Sequence, residues 1–221
     1  MIIMKHVLKT TSLALCAGLV AASALPALPS FIPSAHAAAA ASDPQAPIKA
    51  LYAELTRIEA KNSGTFDQRA QELGPVIDRV YDLEAILSSS IGPHYATLSP
   101  DQKQVLLSTF RQFTIARNLS SFKPGTDARF TINPAIRDAP VGGNKIVDTQ
   151  IGSSDDPSGT AVNYVMHMNG AKGYQVVDVL LNGNISQVGM QHSDFRSALS
   201  GGNVQNLIDL LQKKIKVFSE G

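Results

Sequence analysis

Apolar residues recur at spacings of three and four in the first half of the chain and alternate with polar ones in the second, and the change falls at Pro124-Gly125. Ile48, Leu51, Tyr52, Leu55 and Ile58 define an amphipathic helix reaching about Lys61, which Asn62-Ser63-Gly64 closes. Thr65 can cap a short helix through Leu73. Gly74-Pro75 then restarts the chain so that Val76, Ile77, Val80, Tyr81, Leu83, Ile86 and Leu87 line the next helix, broken by Ser88-Ser89-Ser90 and Gly92-Pro93. Ser99-Pro100-Asp101-Gln102 is a strong helix start, with an N-cap serine, proline at the first helical position and a capping-box glutamine. Beyond it Leu106, Phe110, Phe113 and Arg117 fall on one line.

Five runs rich in β-branched residues follow, at 129–132, 145–151, 161–168, 174–181 and 184–190, separated by Gly/Asn/Asp/Pro turns. The simplest arrangement is an antiparallel meander of four to five strands. Asn182-Gly183 joins the last two runs and suits a type I′ turn, in which both central residues need φ > 0. Val162, Tyr164, Met166 and Met168 share one apolar strand face. Ser193-Asp194 can cap a helix at 195–199 that Gly201-Gly202 ends, and Val204, Leu207, Ile208, Leu210, Leu211, Ile215 and Val217 mark a final helix. Helices before and after a sheet, without alternation, predict an α+β fold with a helical N-terminal half and C-terminal helices packing on the sheet.

The first residues are read as an address and kept out of the fold. Lys5, His6 and Lys9 precede an apolar run at 13–20, and Ala35-His36-Ala37 offers a small-x-small cleavage site, so 1–37 is read as a cleavable signal peptide for export. Pro26, Pro29 and Pro33 interrupt the run short of the roughly 20 residues that span a membrane. The remainder, 38–221, is read as one domain with a flexible leader at 38–47. Removing the address takes Lys5, Lys9 and the lone Cys16, leaving 17 basic against 18 acidic residues and no thiol. Disulfides, thiolate metal sites and a cysteine nucleophile are thereby excluded. A near-neutral chain also lacks the basic footprint of a nucleic-acid binder.

Candidate chemistry is sparse. His192-Ser193-Asp194 holds the three residue types of a hydrolytic triad, but sequence neighbours point apart. His94, His167 and His192 lie in separate segments without metal-ligand spacing. Asp155-Asp156 sits in a Gly/Ser/Pro turn and reads as a solvated hairpin tip, and Gly142-Gly143-Asn144 has no helix behind it to hold phosphate. Asp178 reads as a strand residue facing a helix end or an arginine, or as a polar anchor at a pocket mouth. No catalytic group, metal or cofactor is expected.

The order of these pieces resembles the MlaC family of periplasmic phospholipid-binding proteins, the toluene-tolerance family. The likeness rests on Tyr81-Asp82-Leu83, Ile91-Gly92 with Tyr95, Ser99-Pro100-Asp101-Gln102 and Phe110-Arg111-Gln112-Phe113. Its most specific block is Tyr174-Gln175-Val176-Val177-Asp178-Val179, then Gly183-Asn184-Ile185-Ser186, then Phe195 nine residues on. Gln191-His192 stands where the family usually has Tyr-Arg, and the stretch from Asp178 to Phe195 looks closer to the hopanoid-associated HpnM branch.

That resemblance implies a carrier that holds phospholipid or hopanoid in a hydrophobic cavity between helices and sheet and shuttles it between inner and outer membrane. Such a carrier is a monomer that meets an inner-membrane lipid transporter complex and an outer-membrane acceptor. Exposing two chains of roughly sixteen carbons to water costs on the order of 25 kcal/mol, so a shielded route across an aqueous gap has physical purpose. The pocket candidates are Ile86, Leu87, Ile91, Phe110, Phe113, Met166, Met168, Val177, Val179, Val188 and Leu207, with Tyr95, Tyr174 and His192 at the mouth. The lining should be aliphatic with few polar atoms. Two alternatives stand: an envelope interaction module with a filled core, which the lack of a continuous apolar cavity of at least several hundred Å³ would favour, and an envelope hydrolase.

Overall fold

Most helices begin where a side chain answers the free N–H groups of the first turn. In the computed structural model, which describes residues 42–140 and 142–221, the first helix is α1 (Ala46–Ile58), with Ile48, Leu51, Tyr52, Leu55 and Ile58 turned inward as expected. The predicted address at 1–37 lies outside the described residues. Gln45, just before α1, donates through Nε2 to the carbonyls of Asn133 and Pro134 at 2.8 and 3.1 Å, tying the start of the helix to the sheet edge.

Thr65 and Gln68 form a reciprocal capping box at the start of α2 (Phe66–Val80). This helix runs straight through Gly74-Pro75, where a break was predicted. Pro75 forfeits one helical hydrogen bond, but the turns on either side bury Leu73, Ile77 and Val80 completely, and that packing outweighs the local preference. The chain breaks instead at Tyr81, which is extended and bridges Val176; the amide of Asp82 donates to the Val176 carbonyl at 3.0 Å. Asp82 then caps α3 (Leu83–Ile91), accepting from the Ala85 amide at 3.0 Å. The three serines do not end α3: the hydroxyls of Ser88 and Ser90 donate back to helix carbonyls, and Gly92 at φ 68° makes the turn. After the short α4 (His94–Thr97), Ser99 and Gln102 box the start of α5 (Pro100–Ser121).

Strands β1 (Arg129–Asp138), β2 (Lys145–Gly152), β3 (Thr160–Met168), β4 (Tyr174–Leu181) and β5 (Ile185–Ser186) form an antiparallel sheet in sequence order, the predicted meander. β1 extends beyond the expected Ile132 through an irregularity spanning Asn133-Pro134, where proline has no N–H for the ladder. Asn182 and Gly183 turn between β4 and β5 with φ of 50° and 82°. The expected return strand stops after two residues because the Ser186 hydroxyl accepts from the Gly189 amide at 2.9 Å and starts α6 (Gln187–Leu199). Ser193-Asp194 therefore lies inside a helix and caps nothing. Asn203 caps the last helix, α7 (Val204–Glu220).

The fold is α+β, with two buried clusters. The first gathers α1, α2, the C-terminal half of α5 and the inner sheet face, including Val147, Val162, Tyr164, Met166, Val176 and Val179. The second gathers α3, the N-terminal half of α5, α6 and α7 around Phe110, Phe113, Phe195 and Leu207. Tyr81 and Leu83 pack against both.

Candidate functional site

A cavity of about 190 Å³ lies on the seam between these two clusters. The first supplies Leu55, Val162, Tyr164, Val179 and Leu181, the second Ile86, Phe110, Phe113 and Val188, and Tyr81 and Leu83 join them. Tyr81 and Leu83 also border an open polar cleft that holds Asp82, Arg111 and Lys172.

One face of α5 forms a long wall. Phe110, Phe113, Thr114, Arg117, Asn118 and Ser121 all line the cavity, and their spacing of three and four keeps them on one helical stripe. The opposite wall is the sheet. The pairing of β3 with β4 shifts between Val165 and Met166, leaving Val177 as the extra residue on β4. Such a bulge breaks strict alternation. Val176, Val179 and Leu181 consequently face the first cluster, and Asp178 borders the cavity beside Val179.

The lining is more polar than a purely aliphatic pocket, with Thr114, Arg117, Asn118, Ser121, Asp178, Gln187 and Gln191 contributing. Most of these polar groups are satisfied from within the protein. Asp178 accepts from the amides of Val179 at 2.7 Å and Val188 at 3.1 Å and from the Ser186 hydroxyl at 2.6 Å, which fastens β4 to the start of α6. Asp178 thus faces a helix N-terminus, one of the roles its position suggested. Thr114 and Asn118 donate to α5 carbonyls at 2.9 and 2.8 Å, and the Gln191 side chain meets the Ser90 hydroxyl at 2.9 Å.

Arg117 differs. Its partly buried guanidinium forms no hydrogen bond and no ion pair among the described residues. Burial draws its pKa down from the ordinary arginine range. Burial likewise pushes the phenols of Tyr81 and Tyr164 up, and the Tyr164 hydroxyl is also bonded to that of Tyr52.

Of the predicted pocket residues, Ile86, Phe110, Phe113, Val179 and Val188 border this cavity. Leu87, Ile91 and Leu207 are packed inside the second cluster and Met166 inside the first. Val177 occupies the bulge, and Met168, at the end of β3, is 49% exposed. Tyr95 on α4 donates to Glu84 at 3.1 Å, Tyr174 packs at the margin of the first cluster, and His192 bonds the Ser90 carbonyl through Nδ1 at 3.0 Å in a shallow cleft beside His94 and Arg196. Within the triad-like run, His192 thus turns to Ser90 while Asp194 pairs with Lys214 at 3.2 Å, so the two make no common centre. Tyr81, Tyr164, Thr114, Arg117 and Asn118 were not foreseen as site residues. The stripe Leu106, Phe110, Phe113, Arg117 was the available signal, since it carries a cation along an apolar helical face.

A solved structure of a phospholipid-binding protein from Ralstonia solanacearum, in complex with a phospholipid, superposes with a TM-score of 0.67 at 18% identity, covering 80% of this chain and 99% of that one. At that identity the likeness concerns the fold. No curated protein sequence matches significantly. The family model described as MlaC protein matches residues 45–213, and on that match the chain belongs to the MlaC family.

Proposed function

We propose that the chain is a periplasmic carrier, exported through a cleavable signal peptide, that binds lipid in the seam cavity and shuttles it between the inner and outer membranes without chemical turnover. The observation that carries this reading is an internal cavity with aromatic and aliphatic walls in a member of the MlaC family. The phospholipid held by the Ralstonia protein supports the same ligand class. The likeness of the stretch from Asp178 to Phe195 to the hopanoid-associated branch keeps a polycyclic ligand within the proposal. An inner-membrane lipid transporter and an outer-membrane acceptor are the partners such a carrier needs.

Size sharpens the claim. An engineered cavity of about 150 Å³ holds one benzene, so about 190 Å³ accommodates a short piece of chain and not a whole lipid. Pockets for drug-sized ligands run to about 300–1,000 Å³. Loading therefore requires the walls to part, and the seam between two separately packed clusters is where parting breaks the fewest contacts within either one. The small volume is also what favours the competing reading, an envelope interaction module with a filled core. Organic extraction of the exported protein followed by mass spectrometry separates the two. Co-purifying lipid, or saturable uptake of added lipid, supports the carrier; the absence of both defeats it.

A further inference from the structure

We propose that Arg117 binds the anionic group of an amphiphile, a carboxylate or a phosphate, inside the seam cavity, with the hydrocarbon lying against Ile86, Phe110, Phe113 and Val188. This rests on the carrier reading and narrows its ligand to a charged one.

Three observations converge on Arg117. The first is its lack of an internal partner. Arg57, Arg111 and Arg137 are half exposed or nearly so, yet each holds a carboxylate, at 2.6, 2.5 and 2.6 Å. The buried Arg69 at least donates to the Phe122 carbonyl. Arg117 lines the cavity with no such contact, although a partly buried guanidinium is best held by an anion or several acceptors.

The second is the state of its neighbours. Asp178 borders the same cavity but forms no ion pair with Arg117, because its oxygens already hold two amides and the Ser186 hydroxyl. The oxygens of Asn118 and Thr114 lie on the same helix face, and their donors are given to α5 carbonyls. The Arg117 donors are held by no acceptor among the described residues and stay open to a group that enters the cavity.

The third is the company the cation keeps. Phe110 and Phe113 lie seven and four residues before it on one face of α5, so a single groove offers a cationic end and an apolar run. The protonated Tyr81 hydroxyl adds a neutral donor for a further anion oxygen. A planar guanidinium matches carboxylate and phosphate oxygens in a bidentate fork. An uncharged polycyclic hydrocarbon fills space but leaves this charge unanswered.

The test measures binding of palmitate, dipalmitoyl phosphatidic acid and 1-hexadecanol to the ligand-stripped full chain by titration calorimetry, for wild type, Arg117→Gln and Arg117→Lys. Wild type is expected to prefer at least one anionic amphiphile over hexadecanol. Arg117→Gln should weaken that amphiphile about 10–100-fold while changing hexadecanol by less than about threefold, and Arg117→Lys should restore part of the loss. Loss confined to palmitate identifies a carboxylate ligand, and loss confined to phosphatidic acid a phosphate. Equal wild-type affinity for hexadecanol and both anions overturns the role of charge and leaves the carrier intact, and needs no variant to fold. A uniform loss across all three probes in Arg117→Gln makes the residue merely structural and also overturns the proposal. Failure of wild type to bind any of the three overturns this proposal and leaves the carrier reading to the co-purification test.

Discussion

Filling the seam cavity should abolish ligand binding while sparing the fold. Val188 lines the cavity from the first turn of α6 and is partly buried, and its replacement by tryptophan places an indole in a space of about 190 Å³. Occupying on the order of 100 Å³ of void recovers roughly 2.4 kcal/mol at about 24 cal/mol per Å³. Imperfect fit takes back about 1–3 kcal/mol. The net change is therefore close to zero, and for a chain of this size the melting temperature should move by less than about 5 °C. Palmitate at a hundred times its Kd contributes about 2.7 kcal/mol to wild type, a rise of about 5–11 °C. The Val188→Trp protein should show less than about 2 °C on the same scale. Calorimetric melts with and without palmitate measure both numbers. Because the natural chain contains no tryptophan, the emission of the new indole also reports whether it is shielded from water. An unshifted melt in Val188→Trp, a blue-shifted indole and an undiminished palmitate response together would refute the assignment of this cavity as the ligand site. Val105→Trp, at a position 52% exposed and outside the lining, is the control that should bind like wild type.

Other consequences can be checked without a ligand. Asp82→Ala removes the cap of α3 together with the contacts to His167 at 2.9 Å and Asn169 at 3.0 Å, and should lower urea stability by about 2–4 kcal/mol; a loss below about 0.5 kcal/mol would contradict the role given to Asp82. Ser186→Ala should cost about 1–2 kcal/mol and speed amide exchange of Val188 and Gly189 above that of the rest of α6, whereas uniform exchange along the helix would count against the junction described. Burial raises the phenol pKa of Tyr52, Tyr81 and Tyr164 above the free value, so the folded state holds protons that the unfolded state has lost. Their contribution to stability is complete below about pH 10 and declines as pH rises beyond it. Absorbance titration should show these three ionising near pH 10 only after denaturant is added. Asp148 is held below the usual carboxylate range, first by Arg137, so its contribution is present above about pH 4 and fades as pH falls further. Asp148→Asn should flatten that acid limb of the stability profile.

The boundaries that were legible in the sequence are those set by local chemistry. The caps at Thr65 and Ser99, the Asn182-Gly183 turn and the spans of β2 and β3 are decided by neighbours in the chain, and each falls within a residue of where the pattern put it. The misreadings lie where distant contacts prevail. Pro75 is tolerated because Leu73 and Ile77 are buried against other elements, and α6 starts seven residues before the predicted cap because Asp178, on β4, draws in the amide of Val188. The bulge at Val177 has no marker in the run Tyr174-Gln175-Val176-Val177-Asp178-Val179, yet it decides which valines reach the interior. For the cavity, period alone separates inward from outward positions. It does not tell a side chain that fills space from one that borders it, so Leu87 and Phe113 look alike in sequence and differ in the fold.

The two aspartates of the family-like motifs bring this back to Arg117. Asp82 is consumed in holding the α2–α3 junction to β3 and the turn after it, through the Ala85 amide, His167 and Asn169. Asp178 is consumed in holding β4 to α6. Both act at the margins of the seam, where the two clusters are joined, and neither is released to neutralise a cation. Folding alone does not call for a cation at position 117, on a helix face that also presents Phe110 and Phe113 to the cavity. A partly buried arginine left without an internal partner at a cavity wall, where the more exposed Arg57, Arg111 and Arg137 each hold a carboxylate, is the physical mark of a position kept for what enters the cavity.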